Sequence, residues 1–244
     1  MVRSVAQQFH EHGIPVVGVP KTIDNDLEGT LLTFGFDSAV ACATDALDRL
    51  HTTAESHNRV MVLEVMGRYA GWIALYAGVA GGADVILIPE IPFTYHSVSQ
   101  KIEEREQLGK GFTIVIVAEG ACEMGQSYVA VGEQSTNREA RLGGIGAVVA
   151  REIESRTAKE SRVCVLGHLQ RGGGPTPFDR ALCSILGAHA VELIAEGDFG
   201  KMVAYQGSHV SAVSLSDAVG KLKTVGPNGS LARTARRLGI CFGD

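Results

Sequence analysis

The segment Gly18-Val-Pro-Lys-Thr-Ile-Asp-Asn-Asp26 sets two carboxylates, Asp24 and Asp26, two positions apart, just after a hydroxyl and an ammonium. On a loop, one carboxylate of such a pair can take the proton of a hydroxyl nucleophile while the other faces a divalent cation. Lys21 and Thr22 can meet phosphoryl oxygens. The same spacing also suits a plain polar Asx turn. An EF-hand is excluded, because the twelfth position counted from Asp24 is Gly35, where calcium needs a bidentate Glu.

Two further stretches carry cations. Val65-Met-Gly-Arg68 places an Arg after a Gly, a pairing that can clamp phosphate at close approach, although an ordinary ion-paired surface Arg reads the same way. Arg162-Val-Cys-Val-Leu-Gly-His-Leu-Gln-Arg-Gly-Gly-Gly174 gathers Arg162, His168 and Arg171 ahead of a Gly triplet. That composition suits a phosphate held by a guanidinium, an imidazole and free backbone N–H groups. A lone His is more often a satisfied core residue, and Arg171 close behind His168 favours the anion reading. No Walker P-loop and no G-x-G-x-x-G is present.

These residues need elements to hold them. Apolar runs alternate with helical periods throughout. Ile14–Val19 predicts a short strand, and Asp37 a cap for a helix striped by Val40, Ala43, Leu47 and Leu50. Arg59–Met66, Asp84–Ile88, Phe112–Ala118 and Arg162–His168 read as strands. Gly71–Gly81, Ile145–Arg156 and Phe178–Ile194 read as helices. Ser97 and Gln100 form a capping-box pattern that opens a helix to Leu108. Residues 120–144 lose periodicity and predict a loop or hairpin insert. The tail predicts a strand near Met202, a helix over Ser214–Leu222 and a last helix with Arg233, Arg236 and Arg237. The class is α/β, with layered helices on mainly parallel sheet. In such sheets ligands bind beyond the carboxyl ends of the strands, which is where the chemistry-bearing residues fall.

Bulk composition narrows the function. With 244 residues, 45% hydrophobic and 20% charged, the chain has an ordinary globular make-up and room for a real core. A formal charge of −5 with scattered Lys and Arg offers no basic stripe for nucleic acid. No apolar run approaches the ~18 residues of a membrane span. The opening MVRSVAQQFHEHG has no signal-peptide core, and five Cys without metal-type spacing suggest free thiols. A cytoplasmic location is expected. No repeat and no linker stands out, so a second domain must be interleaved with the first.

PKTIDND, EVMGR and GHLQRGG, in this order, resemble the phosphofructokinase family, and the likeness runs through Lys221-Leu-Lys-Thr-Val225 to Gly239–Asp244. The resemblance implies two interleaved α/β domains: 1–36 with 170–220 on the donor side, and 37–169 with 221–244 on the sugar-phosphate side. It implies transfer of a phosphoryl group from ATP or pyrophosphate, with Mg2+, to the 1-hydroxyl of fructose 6-phosphate in glycolysis. Asp24 matches the base, Thr22 a contact to the transferred phosphoryl, Asp26 the magnesium-side carboxylate and Arg68 the charge-neutralising cation. Met66, Gly67 and Glu119 match the sugar site, while His168 and Arg171 match 6-phosphate ligands. Arg59 and Arg162 match arginines that reach a neighbouring subunit's site, so a homo-oligomer, dimer or tetramer, is implied.

The chain also departs from the family pattern. It aligns from just after the family's Gly-rich donor loop, so it reads as a fragment, a truncated gene model or a degenerate paralogue lacking the first βα units. Weak or absent turnover by this polypeptide alone is therefore expected. The alternative reading is a non-catalytic sugar-phosphate-binding subunit of a full-length homologue. A generic flavodoxin-like module does not account for the joint motifs. Lys21 stands where classical ATP-using members have Gly; it occurs in both donor groups, and ATP is the donor favoured here. Leu31-Leu32 replace a usual Asp-Tyr, and His51 and Leu108 replace cations of the family's effector site. Regulation by the usual nucleotide effectors is therefore not expected.

Overall fold

Val60-Met-Val-Leu-Glu-Val65 is apolar but for one residue, and all six are buried as strand β2. A strand that apolar on both faces needs helices above and below it and strands on either side. The computed structural model, which describes residues 2–129 and 142–244, supplies both. The elements run α1 (Val2–Glu11), β1 (Val17–Gly18), α2 (Phe36–His57), β2, α3 (Trp72–Ala80), β3 (Val85–Leu87), α4 (Tyr95–Gln107) and β4 (Thr113–Ala118). They continue with α5 (Ile145–Thr157), β5 (Ser161–Val165), a 3-10 turn (Gly167–Arg171), α6 (Pro177–Glu196), β6 (Lys201–Tyr205), β7 (Val210–Ser214), α7 (Leu215–Gly220) and α8 (Ser230–Arg237). The result is an α/β fold with mainly parallel sheet.

The chain packs as two units, residues 1–39 with 174–223 and residues 40–173 with 224–244. The second unit holds a four-stranded, all-parallel sheet in the order β3-β4-β2-β5. Its core joins Val60, Val62, Val115 and Val117 to Phe93, Val98 and Ile102 and to Ile145, Val149 and Ile153 of α5. At ~25 cal/mol per Å² of apolar surface, burial of these side chains is what pins the helices to the sheet. The first unit holds a three-stranded sheet, β1-β6-β7, parallel between β1 and β6 and antiparallel between β6 and β7. Its core is built on Leu182, Leu186, Leu193 and Val203.

Four local expectations change. The β5 strand stops at Val165, because the Leu166 carbonyl accepts from Leu169 N at 3.0 Å and the chain winds into the 3-10 turn. Helix α4 starts at Tyr95, two residues before the expected capping box, because Thr94 is the extended residue whose Oγ1 accepts from Ser97 N at 3.2 Å. Asp37 sits inside the first turn of α2 instead of capping it, and Asp179 supplies the cap from a distance in sequence. The tail adds an unforeseen hairpin partner, β7. The expected insert over 120–144 lies partly outside the described residues. No described helix is long and apolar enough to cross a membrane.

Candidate active site

Lys21, Thr22, Asp24 and Asp26 belong to the first unit and follow β1 as irregular backbone. Thr22 Oγ1 accepts from Asp24 N at 3.2 Å and lies 3.4 Å from Asp24 Oδ2, so the hydroxyl and the carboxylate share one tight turn. Asn25, with φ +50°, takes the left-handed conformation that Asn tolerates. Its side chain is buried, and Oδ1 accepts from Thr33 N at 3.1 Å and Lys223 Nζ at 2.9 Å. Thr33 Oγ1 donates to Thr22 O at 2.6 Å. Lys223 also donates from Nζ to the carbonyls of Thr30 and Leu31, and from its backbone N to Asp26 O at 3.0 Å.

Burial holds the Lys223 ammonium down at about 8, against the opposing pull of Glu28 and Asp26. Asp26 is itself buried, whereas Lys21 is exposed and Thr22 and Asp24 are half-buried. Beside this loop is a cavity of about 490 Å3, walled by Val16, Leu27, Met202 and Leu215 and lined on its polar side by Thr22, Asp24 and Asp26.

The loop leads into α2, whose start is fixed by Asp179. One carboxylate oxygen accepts from Gly35 N at 2.9 Å, and the other from Ser38 N at 2.8 Å and Ser38 Oγ at 2.6 Å. Negative charge at a helix N-terminus is favourable both as a hydrogen-bond acceptor and against the helix dipole.

The second unit carries the remaining candidates at its strand ends. Met66, Gly67 and Arg68 follow β2, Glu119 and Gly120 follow β4, and His168 and Arg171 lie on the 3-10 turn after β5. Glu119 N donates to Val65 O at 2.9 Å and Gly120 N to Gly67 O at 3.1 Å, which ties the ends of β2 and β4 together. A Cβ on Gly120 would lie 2.0 Å from Arg68 O, so only Gly permits this approach. Arg68, half-buried, lies over the Tyr69 ring with its guanidinium carbon 5.2 Å from the centroid. With three residues per 3-10 turn, His168 and Arg171 project from one edge, and both are exposed.

Arg59 and Arg162 stand elsewhere in this unit, before β2 and on β5. Both pair with Glu160, Arg59 Nε at 2.6 Å and Arg162 through Nη2, and the Glu160 carboxyl is held below its ordinary range, foremost by the Arg59 hydrogen bond.

Several supporting contacts escape a reading by motif. Glu64, inside β2, is buried, and its carboxylate accepts from Gly144 N at 3.0 Å and Gly146 N at 2.8 Å at the start of α5. A lone charge in an apolar strand was the available signal. Gln170, within GHLQRGG, accepts at Oε1 from Met66 N at 2.6 Å. Asp179 and Lys223 gave no signal, because their partners lie more than a hundred residues away.

Among the described residues no group of three or more His, Cys, Asp or Glu is arranged to hold a metal ion by itself. A cation here would rest on one or two carboxylates completed by substrate oxygens and water. Magnesium takes that arrangement and a structural zinc does not.

A family model described as "Phosphofructokinase" matches residues 3–194. The ATP-dependent 6-phosphofructokinase of Chloroflexus aurantiacus is 58% identical over 240 residues, covering 98% of this chain and 66% of the relative. A pyrophosphate–fructose 6-phosphate 1-phosphotransferase of Amycolatopsis methanolica is 55% identical over 225 residues, covering 91% of this chain and 65% of the relative. Among solved structures, phosphofructokinase from Saccharomyces cerevisiae superposes with a TM-score of 0.73 at 30% identity, covering 89% of this chain and 29% of that one. The chain belongs to the phosphofructokinase family. It spans 66% of the length of the Chloroflexus relative.

Proposed function

We propose that this chain carries the phosphoryl-transfer chemistry of a 6-phosphofructokinase acting on fructose 6-phosphate in the cytoplasm. The single observation that carries the reading is the Thr22–Asp24 turn, which holds a half-buried carboxylate and a hydroxyl together on an anchored loop. Asp24 takes the proton of the sugar 1-hydroxyl, and Thr22 and Lys21 meet phosphoryl oxygens. Arg68 neutralises developing charge, and Met66, Gly67 and Glu119 receive the sugar. His168 and Arg171 hold the 6-phosphate, with Arg59 and Arg162 serving a second copy of the chain in a dimer or tetramer. Asp26 is the carboxylate on the side of Mg2+, which when bound neutralises donor phosphate charge. The donor is ATP or pyrophosphate; relatives named for each share more than half of their aligned residues with this chain. The five cysteines are free thiols.

Calorimetric titration of chain 1–244 with fructose 6-phosphate and with fructose tests the acceptor. A charge-assisted phosphate contact of ~1.5–3 kcal/mol predicts binding at least ~10-fold tighter for the phosphorylated sugar. Equal affinities would overturn the assignment. Production of fructose 1,6-bisphosphate with each donor, assayed on the longest reading frame that contains this chain, then names the donor.

A further inference from the structure

Strand β2 pairs with β5 in parallel register up to Glu64 opposite Val165, and Leu166 N donates to Glu64 O at 3.0 Å. In a parallel ladder the next rung would run from Met66 N to the carbonyl of Leu166. That carbonyl is already taken by Leu169 N, at 3.0 Å, because the chain has turned into the 3-10 winding. The Met66 amide meets Gln170 Oε1 instead, at 2.6 Å, and Gln170 is 3% exposed. A side-chain amide thus stands in for the missing backbone carbonyl, and the ladder continues one rung past the end of β5.

The other end of the amide does nothing comparable. Gln170 Nε2 is buried and meets no acceptor among the described residues. Burying an amide donor without a partner is costly, so the bond to Met66 is the one directional tie that accounts for a glutamine here. Its two ends lie among candidate ligand-binding residues. Met66 is followed by Gly67 and Arg68, while Gln170 sits between His168 and Arg171.

We propose that Gln170 is a positioning residue that sets the register between the end of β2 and the 3-10 turn. It thereby fixes the spacing of the sugar-contacting and phosphate-binding groups. This rests on the sugar-phosphate reading given above, and the test separates the two.

Hydrogen exchange is compared for chain 1–244, Gln170→Met and Gln170→Glu, and fructose 6-phosphate titration for the first two. Methionine keeps the volume and removes the acceptor, whereas glutamate keeps an acceptor for the Met66 amide. Gln170→Met is expected to speed exchange at Met66 by ~10-fold and to weaken sugar-phosphate binding by about as much, the scale of one net hydrogen bond. Peptides from β4 should keep their protection in that variant, which a merely destabilised fold would not allow. Gln170→Glu is expected to keep Met66 protection near that of the parent, since the acceptor is retained, and its affinity is left out of the test because the added charge lies beside His168 and Arg171. Unchanged exchange and affinity in Gln170→Met would overturn the proposal. If Gln170→Met fails to fold, loss of Met66 protection in Gln170→Glu overturns it and retention supports it. If the parent chain binds no fructose 6-phosphate, the functional reading fails and the assigned purpose falls with it, while Met66 exchange still decides whether the tie exists.

Discussion

The loop carrying Asp24 and the strand ends carrying Arg68 and Glu119 achieve placement by different means. In the second unit the backbone ladder does most of the work, since parallel strands deliver their last residues to one edge and the rungs run on into Glu119 and Gly120. The Asp24 loop has no such ladder. Beyond single backbone bonds such as Lys223 N to Asp26 O, its shape depends on side chains that reach in from outside, Thr33 onto Thr22, Lys223 onto Asn25, and Asp179 onto the turn that follows. A site held by rungs tolerates side-chain change in its supports, whereas a site held by side chains concentrates its rigidity in a few replaceable groups.

The largest expected effect lies at the loop. Measured in the longest reading frame that contains this chain, Asp24→Ala should lower phosphoryl transfer by ~10²- to 10⁴-fold, as loss of a general base does, and leave fructose 6-phosphate affinity within ~3-fold. A coupled assay alongside titration checks both, and an equal loss in binding would show that Asp24 holds the sugar and is not its base. Next comes Glu64, a side chain on which the second unit also relies. Glu64→Ala strands the half-buried Gly144 amide and the buried Gly146 amide and opens a cavity, and should cost ~2–4 kcal/mol in urea-unfolding experiments. A cost below ~1 kcal/mol would mean that α5 is held by its apolar face alone.

Asp179→Ala should cost ~1–2 kcal/mol by removing a helix cap, and should slow turnover more than it destabilises the sheet of the second unit. Denaturant melts read with kinetics compare the two.

The smallest effect is a pH dependence. Lys223 has a folded value of about 8, below the ordinary 10.5, so between these pH values the unfolded chain binds the extra proton. Stability contributed at this residue therefore rises with pH across that window and is lowest below pH 8, where both states are charged. The stability of the parent minus that of Lys223→Met should climb from pH 8 to 10, and a flat difference would count against burial as the cause.

Much of the second unit was readable because periodicity and strand-end placement are local properties. Val60–Val65 declares a doubly buried strand, and the residues after it must fall at the sheet's carboxyl edge. The chemical types in the Asp24 loop were equally plain. What could not be read was support from a distance. Nothing near Asn25 announces Lys223, and nothing near Gly35 announces Asp179, because spatial closeness of residues so far apart is a property of topology. The 3-10 turn was missed for a related reason. The apolar run Val163–Leu166 gives no sign that the Leu166 carbonyl turns to Leu169 N and leaves the ladder.

The strand order β3-β4-β2-β5 also bears on how the chain is made. β2 lies between two neighbours that both come after it in the chain, so on the ribosome it waits for β4 and then for β5 before its ladder is complete. Closing such long loops is entropically slow. During that wait, Val60–Val65 would be a nearly perfect adhesive segment were it not for Glu64. Until the Gly144 and Gly146 amides arrive to receive it, the carboxylate remains hydrated and charged in the middle of the strand, and a charge there disfavours pairing with a stranger. The group that anchors α5 in the finished molecule is thus also a gatekeeper for the nascent one.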